Sequence, residues 1–189
     1  MYYHKIKREE REQEAIRNDI LMLQKIKVLP KLSGKYILDL GCGDGHPTAV
    51  LKEFGADVIG LEVNREDIIS GINNGYIQGN DIVLGDAKNF PFRKNSFDMI
   101  SGFHIGKLSY YPILQEHYIS PHWEDILSNC VESLKPQGTM FLSYRLGETN
   151  NPERFFSKIG LKGIEIARHN NYIGLADTIY VGQKNRLKK

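Results

Sequence analysis

Cysteine is scarce in this 189-residue chain, which has only Cys42 and Cys130. Two thiols build neither a disulfide framework nor a four-Cys zinc site, and they point to a reducing compartment, the cytoplasm. Long apolar runs are missing too. None approaches the ~20 residues needed to span a bilayer, so no contact with the membrane interior is expected. The opening stretch MYYHKIKREEREQE is charged where a secretory signal would be apolar, and export by that route is not expected. Internal repeats and low-complexity linkers are absent. Charge of one sign is not in excess either: 25 Lys+Arg stand against 23 Asp+Glu, a net +2. With 41% hydrophobic and 25% charged residues, the composition is that of a folded domain. The length suits one domain with a full core and leaves no room for two large ones.

The small net charge hides an uneven distribution. Residues 1–35 carry nine basic and five acidic side chains, and the tail adds Lys184, Arg186, Lys188 and Lys189. Residues 36–183 carry 12 basic and 18 acidic side chains. Basic ends around an acidic middle can contact a polyanion or simply lie solvated.

Hydrophobic periodicity divides the chain into an N-terminal helical extension, 1–35, and an α/β core, 36–183. Ile16, Ile20 and Leu23 share one helical face, and Pro30 with Ser33-Gly34 closes that segment. Short β-type runs then alternate with helical stretches, the pattern of βαβ units on a parallel sheet. Strands are expected at 36–40, 57–61, 81–84, 97–101 and 139–144, with two more near 163–168 and 176–182. Helices are expected at 47–54, after Asn64, after Pro121 and from Pro152 to Ile159. The helix after Pro121 carries Ile126, Cys130 and Leu134 on one stripe, and Lys135-Pro136-Gln137-Gly138 reads as a turn.

The richest stretch is Asp39-Leu40-Gly41-Cys42-Gly43-Asp44-Gly45. A strand feeding a G-x-G-x-G turn and then a helix lets a ligand approach the backbone closely. A dinucleotide fingerprint needs a further glycine where His46 stands, which tells against NAD. Glu62 ends the second strand, the position from which a carboxylate reaches both hydroxyls of a ribose held over the first turn. Cys42 lies inside the loop, where small size explains it better than nucleophilicity. Cys130 falls on an apolar helix stripe. His117, His122, Glu116 and Glu124 fit no firm ligand spacing, and no metal is expected.

Together these residues resemble the class I S-adenosylmethionine-dependent methyltransferases, from about Tyr36 to Gly182. Ile37 to Gly45 is similar to that family's first motif. Glu62 is similar to its acidic ribose-binding residue, and Gly85-Asp86-Ala87 to its adenine motif. Phe97 to Ser101 and Leu134 to Thr139 look like the fourth-strand motif and the turn into the fifth strand. The resemblance implies a Rossmann-like three-layer α/β/α sandwich, with a mostly parallel seven-stranded sheet whose last strand is reversed. It implies S-adenosylmethionine as cofactor. Asp39, Gly41, Cys42, Gly43 and Gly45 would hold its amino-acid end, Glu62 its ribose, and Val63, Asp86 and Ala87 its adenine. The backbone at Gly102 or Phe103 would meet its methionine portion. For Val63 and Phe103 ordinary core packing is the competing reading.

The reaction expected is methyl transfer to a small-molecule acceptor, by in-line displacement at a methyl group the cofactor has already activated. Between the fourth strand and its helix runs an aromatic-rich segment, 103–123. It supplies His104 as candidate base and Tyr110, Tyr111 and His117 as candidate acceptor contacts. Ser101-Gly102-Phe103-His104 departs from the Asn/Asp-Pro-Pro-aromatic run of many nucleobase amine methyltransferases, which disfavours that acceptor. Two alternatives remain: an RNA or protein methyltransferase gripping through its basic ends, and a cofactor-binding protein without catalysis.

Overall fold

Short, nearly continuous apolar runs build the central strands of this fold, which are buried on both faces. The computed structural model describes residues 2–103, 121–144, 156–168 and 177–184. In chain order the elements are α1 (Tyr2–Lys25), β1 (Tyr36–Leu40), α2 (His46–Glu53), β2 (Asp57–Glu62), α3 (Arg65–Asn73), β3 (Ile82–Leu84), β4 (Phe97–Phe103), α4 (Pro121–Ser133), β5 (Leu134–Tyr144), β6 (Leu161–Arg168) and β7 (Asp177–Lys184). The strands form one sheet in the order β3-β2-β1-β4-β5-β7-β6. β1 pairs parallel with β2 and β4, β2 with β3, and β4 with β5. β7 runs antiparallel to both of its neighbours, β5 and β6. The chain is an α/β fold with the expected reversed last strand.

Two apolar layers flank the sheet. On one face Leu38, Leu40, Ile100, Met140, Leu142 and Tyr180 pack with Ile126, Leu127, Cys130 and Val131 of α4. On the other, Ile37, Met99, Phe141, Ile179 and Val181 pack with Val50 and Leu51 of α2. Ile16, Ile20 and Leu23 of α1 join this second layer, so the N-terminal helix shares the core.

Element ends follow local chemistry. Pro47 sits in the first turn of α2, where its missing N–H costs nothing. Asn64 caps α3 by accepting a hydrogen bond from the Glu66 N–H at 3.0 Å, and Glu66 and Asp67 occupy the positively polarised first turn. The expected stripe on α4 needs one correction: Leu134 is the first residue of β5, although it is buried with Ile126 and Cys130 as anticipated. Residues 135–138 are the bulged start of β5 rather than a separate turn. Phe97 is opposite Leu134 but Met99 is opposite Thr139, and Gln137 in the bulge has φ +67°. Among the described residues no helix is long and apolar enough to cross a membrane.

Candidate functional site

In open α/β sheets ligands bind beyond the carboxyl ends of the strands, where neighbouring connections diverge to opposite faces. β1 lies at that position here, between β2 and β4. The chain leaves it through Gly41, Gly43 and Gly45, at φ +64°, +57° and +87°. Side chains disfavour this left-handed conformation, which is why the turn needs its glycines. Space differs along the loop. A Cβ on Gly45 would sit 2.3 Å from Ile77 Cγ2, and one on Gly71 of α3 would sit 2.2 Å from the Asp44 carbonyl oxygen. A Cβ on Gly41 or Gly43 would meet nothing within 4 Å. The loop is thus pressed tightly onto α3 and Ile77, and is open at the two glycines that follow β1.

Two buried carboxylates hold the loop in place. Asp39 is fully buried; it accepts a hydrogen bond from Thr48 Oγ1 of α2 at 2.7 Å and a longer one from Ser101 Oγ of β4 at 3.3 Å. Burial pushes its pKa up to about 7, against the opposing pull of these two hydroxyls. Glu62 at the end of β2 uses both oxygens. Oε2 accepts from the Gly43 N–H at 2.9 Å, and Oε1 from the N–H groups of Val63 and Asn64 at 2.8 and 2.7 Å. A carboxylate has about four acceptor positions, so this one keeps roughly one for a ligand. Glu62 therefore shapes the loop as well as standing at the ribose position.

The remaining candidates separate by exposure. Val63 is 65% exposed, which removes the core-packing reading for it. Phe103 is buried with its ring 4.8 Å from that of Phe141, so its side chain is core. Asp86 is exposed; its Oδ1 accepts from the Lys88 N–H at 2.9 Å and opens a 3₁₀ turn at Ala87–Asn89. Because Glu62 is opposite Leu84 in the β2–β3 ladder, Asp86 and Ala87 follow β3 beside the Glu62 end of β2. Cys42 is buried, with its side chain where Gly60 of β2 leaves room: a Cβ on Gly60 would lie 2.5 Å from the sulfur. Burial and the charges of Asp39 and Glu62 raise its thiol far above the ordinary range, so it is no nucleophile. Residues His104, Tyr110, Tyr111 and His117 lie outside the described residues.

Sequence reasoning missed the residues through which α1 meets the loop. His46, one residue past the loop, is buried, with Nδ1 3.5 Å from Asp44 Oδ1 and 3.8 Å from Glu12 Oε2. Its ring meets Tyr76 edge-on at 4.3 Å, and the Tyr76 hydroxyl donates to Glu9 Oε2 at 3.1 Å. Burial opposes protonation of His46, but Glu12, Asp44 and Glu9 outweigh it and its pKa is raised. The position that argued against a dinucleotide fingerprint is thus where α1 touches the loop. Glycine was the available signal for the rest: Gly60 within a strand and Gly71 within a helix each mark a close backbone approach.

Residues 38–142 match the family described as "Methyltransferase domain", more than half of the chain. The chain is 30% identical over 127 residues to a phthiotriol/phenolphthiotriol dimycocerosates methyltransferase 1 of Mycobacterium ulcerans (strain Agy99), covering 66% of this chain and 43% of that protein. It is 27% identical over 132 residues to the ubiquinone biosynthesis O-methyltransferase of Methylococcus capsulatus (strain ATCC 33009 / NCIMB 11132 / Bath), covering 65% and 48%. The chain therefore spans a little under half the length of these curated relatives. In fold it is similar to magnesium protoporphyrin IX methyltransferase from Synechocystis PCC 6803, whose crystal structure holds S-adenosylmethionine. The TM-score is 0.67 at 15% identity, over 93% of this chain and 80% of that one. The matched stretch holds the glycine loop, Glu62 and the Asp86 turn, and the chain belongs to the methyltransferase domain family.

Proposed function

We propose that the chain is an S-adenosylmethionine-dependent methyltransferase acting on a small-molecule acceptor. The observation that carries this reading is the loop itself: tightly backed at Gly45 and Gly71, open at Gly41 and Gly43, and held by Glu62. Room for a ligand therefore lies against backbone at a strand end, beside a carboxylate suited to a ribose and an exposed Asp86 suited to an amino group. When bound, S-adenosylmethionine supplies a methyl group already activated by its sulfonium, so the protein's task is positioning.

In this reading Gly41, Cys42 and Gly43 hold the amino-acid end through their backbone, and Glu62 holds the ribose. Val63 and Ala87 flank the adenine, and Asp86 accepts from its amino group. Asp39 acts on the loop through Thr48 rather than on the ligand directly. The backbone at Gly102 and Phe103 borders the reacting end, and His104 is proposed as a base, with Tyr110, Tyr111 and His117 as acceptor contacts. A base is needed only where the acceptor loses a proton as it reacts. The small-molecule acceptor is supported by the relatives, named for a lipid and for ubiquinone biosynthesis. The two free, buried cysteines suit a reducing compartment, and the cytoplasm is the proposed location.

Calorimetric titration tests the assignment. S-adenosylhomocysteine, the demethylated product, binds in the expected outcome and NAD does not; failure of S-adenosylhomocysteine to bind sinks it. Glu62→Gln keeps one acceptor oxygen and weakens binding less than Glu62→Ala, which also frees the Gly43 N–H. Asp86→Ala weakens binding without loosening the loop.

A further inference from the structure

At the opposite end of the sheet, where the parallel strands begin, lies a groove of about 810 Å³. Ligand pockets of small-molecule size run from ~300 to ~1,000 Å³. The groove is separate from the site above: it is bordered by Lys35 before β1, Asp98 early in β4, the bulge of β5, the first residues of β6 and the last of β7.

Four lysines line it, Lys27, Lys35, Lys135 and Lys162, against one acidic residue, Asp98. Asp98 is already committed. It accepts from Lys135 Nζ at 2.9 Å and from the Tyr36 N–H at 3.0 Å. The charge of Lys35 also acts on Asp98, and among the described residues no ion pair joins Lys27 or Lys162 to a carboxylate, so four lysines stand against one acid. Like charges around one concavity repel, and an anion placed among them relieves that repulsion.

The walls are also built rather than frayed. The Gln183 side chain donates to the Gln137 carbonyl at 3.1 Å, and the Gln24 side chain to the Pro30 carbonyl at 3.0 Å. Lys27 and Gln137 both hold the left-handed backbone conformation, at φ +60° and +67°. Such conformations are unfavourable for residues with side chains and persist where surrounding structure fixes them. Two of the three non-glycine residues with positive φ among the described residues thus line this one groove. Its apolar portion is aliphatic, from Val28, Leu29, Pro30 and Val181, with no aromatic ring to stack on a base.

We propose that this groove is a second binding site, for a small oligophosphate anion: a di- or triphosphate chain, free or carried by a nucleoside. A phosphate chain presents several negative charges on a short, flexible backbone. Lysine meets it as a set of point donors with no acceptor of their own. A monoanion would leave most of the groove's charge unbalanced, so chain length is recognised. The aliphatic wall gives a nucleoside a place to lie but little to distinguish one base from another.

The test is calorimetric titration of the full chain with inorganic tripolyphosphate, ATP, inorganic phosphate and sulfate at about 0.1 M salt, where exposed charges are partly screened. Tripolyphosphate and ATP bind, and phosphate and sulfate bind at least about tenfold more weakly. Equal affinity for the first two shows that the chain alone is read; tighter ATP binding adds the nucleoside on the aliphatic wall. Lys27 and Lys162 are exposed and their replacement leaves the core intact. The double variant Lys27→Glu/Lys162→Glu loses about tenfold or more in tripolyphosphate affinity. Its affinity for S-adenosylhomocysteine is unchanged. Three results would overturn the proposal: no tripolyphosphate binding, binding indifferent to the double variant, or displacement of tripolyphosphate by S-adenosylhomocysteine. The last would place the anion in the other site.

Discussion

Asp39 shows how one residue can link the loop to the stability of the whole core. It has no exposed surface, and the two hydroxyls on it offset only part of the cost of burying its charge, so its pKa rises from 3.8 to about 7. The folded protein then holds a proton that the unfolded chain has released. The stabilisation from that proton is complete below 3.8 and disappears as pH rises through about 7; the shift corresponds to about 4 kcal/mol. Asp39→Asn keeps an oxygen for Thr48 and cannot titrate. The difference in urea midpoint between Asp39→Asn and wild type therefore moves in favour of the variant between pH 5 and pH 8. A constant difference across that range would show Asp39 to be ionised throughout. Gly71 makes a complementary case with no charge involved. A Cβ there meets a backbone oxygen at 2.2 Å, which cannot swing away as a side chain could. Gly71→Ala is expected to cost about 1–3 kcal/mol. It also displaces Asp44, so binding of S-adenosylhomocysteine weakens together with stability. Gly75→Ala, with open space at its own positive φ, strains its turn but leaves that binding intact.

Among the elements, α1 is attached in several ways, and magnitudes separate them. Arg17 makes a bidentate pair with Glu53 of α2, at 2.6 Å for both contacts, between side chains 34% and 47% exposed. Exposed pairs of this kind contribute about 0.2–1 kcal/mol. Ile20 and Leu23 are fully buried, and truncating such a side chain costs about 2–5 kcal/mol. Ile20→Ala should therefore destabilise the protein several-fold more than Arg17→Ala, as measured by urea unfolding. Equal effects would mean that α1 is held by charge. The contact of His46 with Glu12 adds a pH dependence. A raised histidine pKa stabilises the folded state fully below 6.5 and loses that contribution as pH rises through the folded value. The helix itself was legible, because Ile16, Ile20 and Leu23 recur at helical spacing. The residues through which it meets the loop were not. Glu9 and Glu12 lie among charges that read as a solvated face, and no local pattern says which buried histidine they will meet. β5 shows the converse. Pro136 and Gly138 correctly signal broken pairing, but hydrogen bonding resumes on both sides, so strand and turn are one bulged element. The short β-type runs and the G-x-G-x-G turn were legible because strand burial and left-handed φ are local requirements.

At the scale of the molecule, the sheet separates two chemistries by its two ends. The strand ends carry Glu62 and Asp86, and the strand starts carry Lys35, Lys135 and Lys162. Some basic residues belong to the architecture: Lys184 donates to the Leu134 and Glu132 carbonyls at 2.6 and 3.1 Å, satisfying carbonyls at the end of α4. Ligands at opposite ends should stabilise the fold independently, since they share no residue. At a hundredfold excess over its Kd, a ligand stabilises the folded state by about 2.7 kcal/mol. For a chain of this size that raises Tm by about 5–10 °C. S-adenosylhomocysteine should give such a shift and tripolyphosphate a second one, and the two together should give their sum. The tripolyphosphate increment should shrink as salt rises and its ammonium partners are screened. The S-adenosylhomocysteine increment rests on Glu62, the loop backbone and apolar walls, and should change little. Increments that fail to add would show the two ends of the sheet to be energetically coupled. A shared salt dependence would instead put both ligands on one charged surface, against the separation seen in the fold.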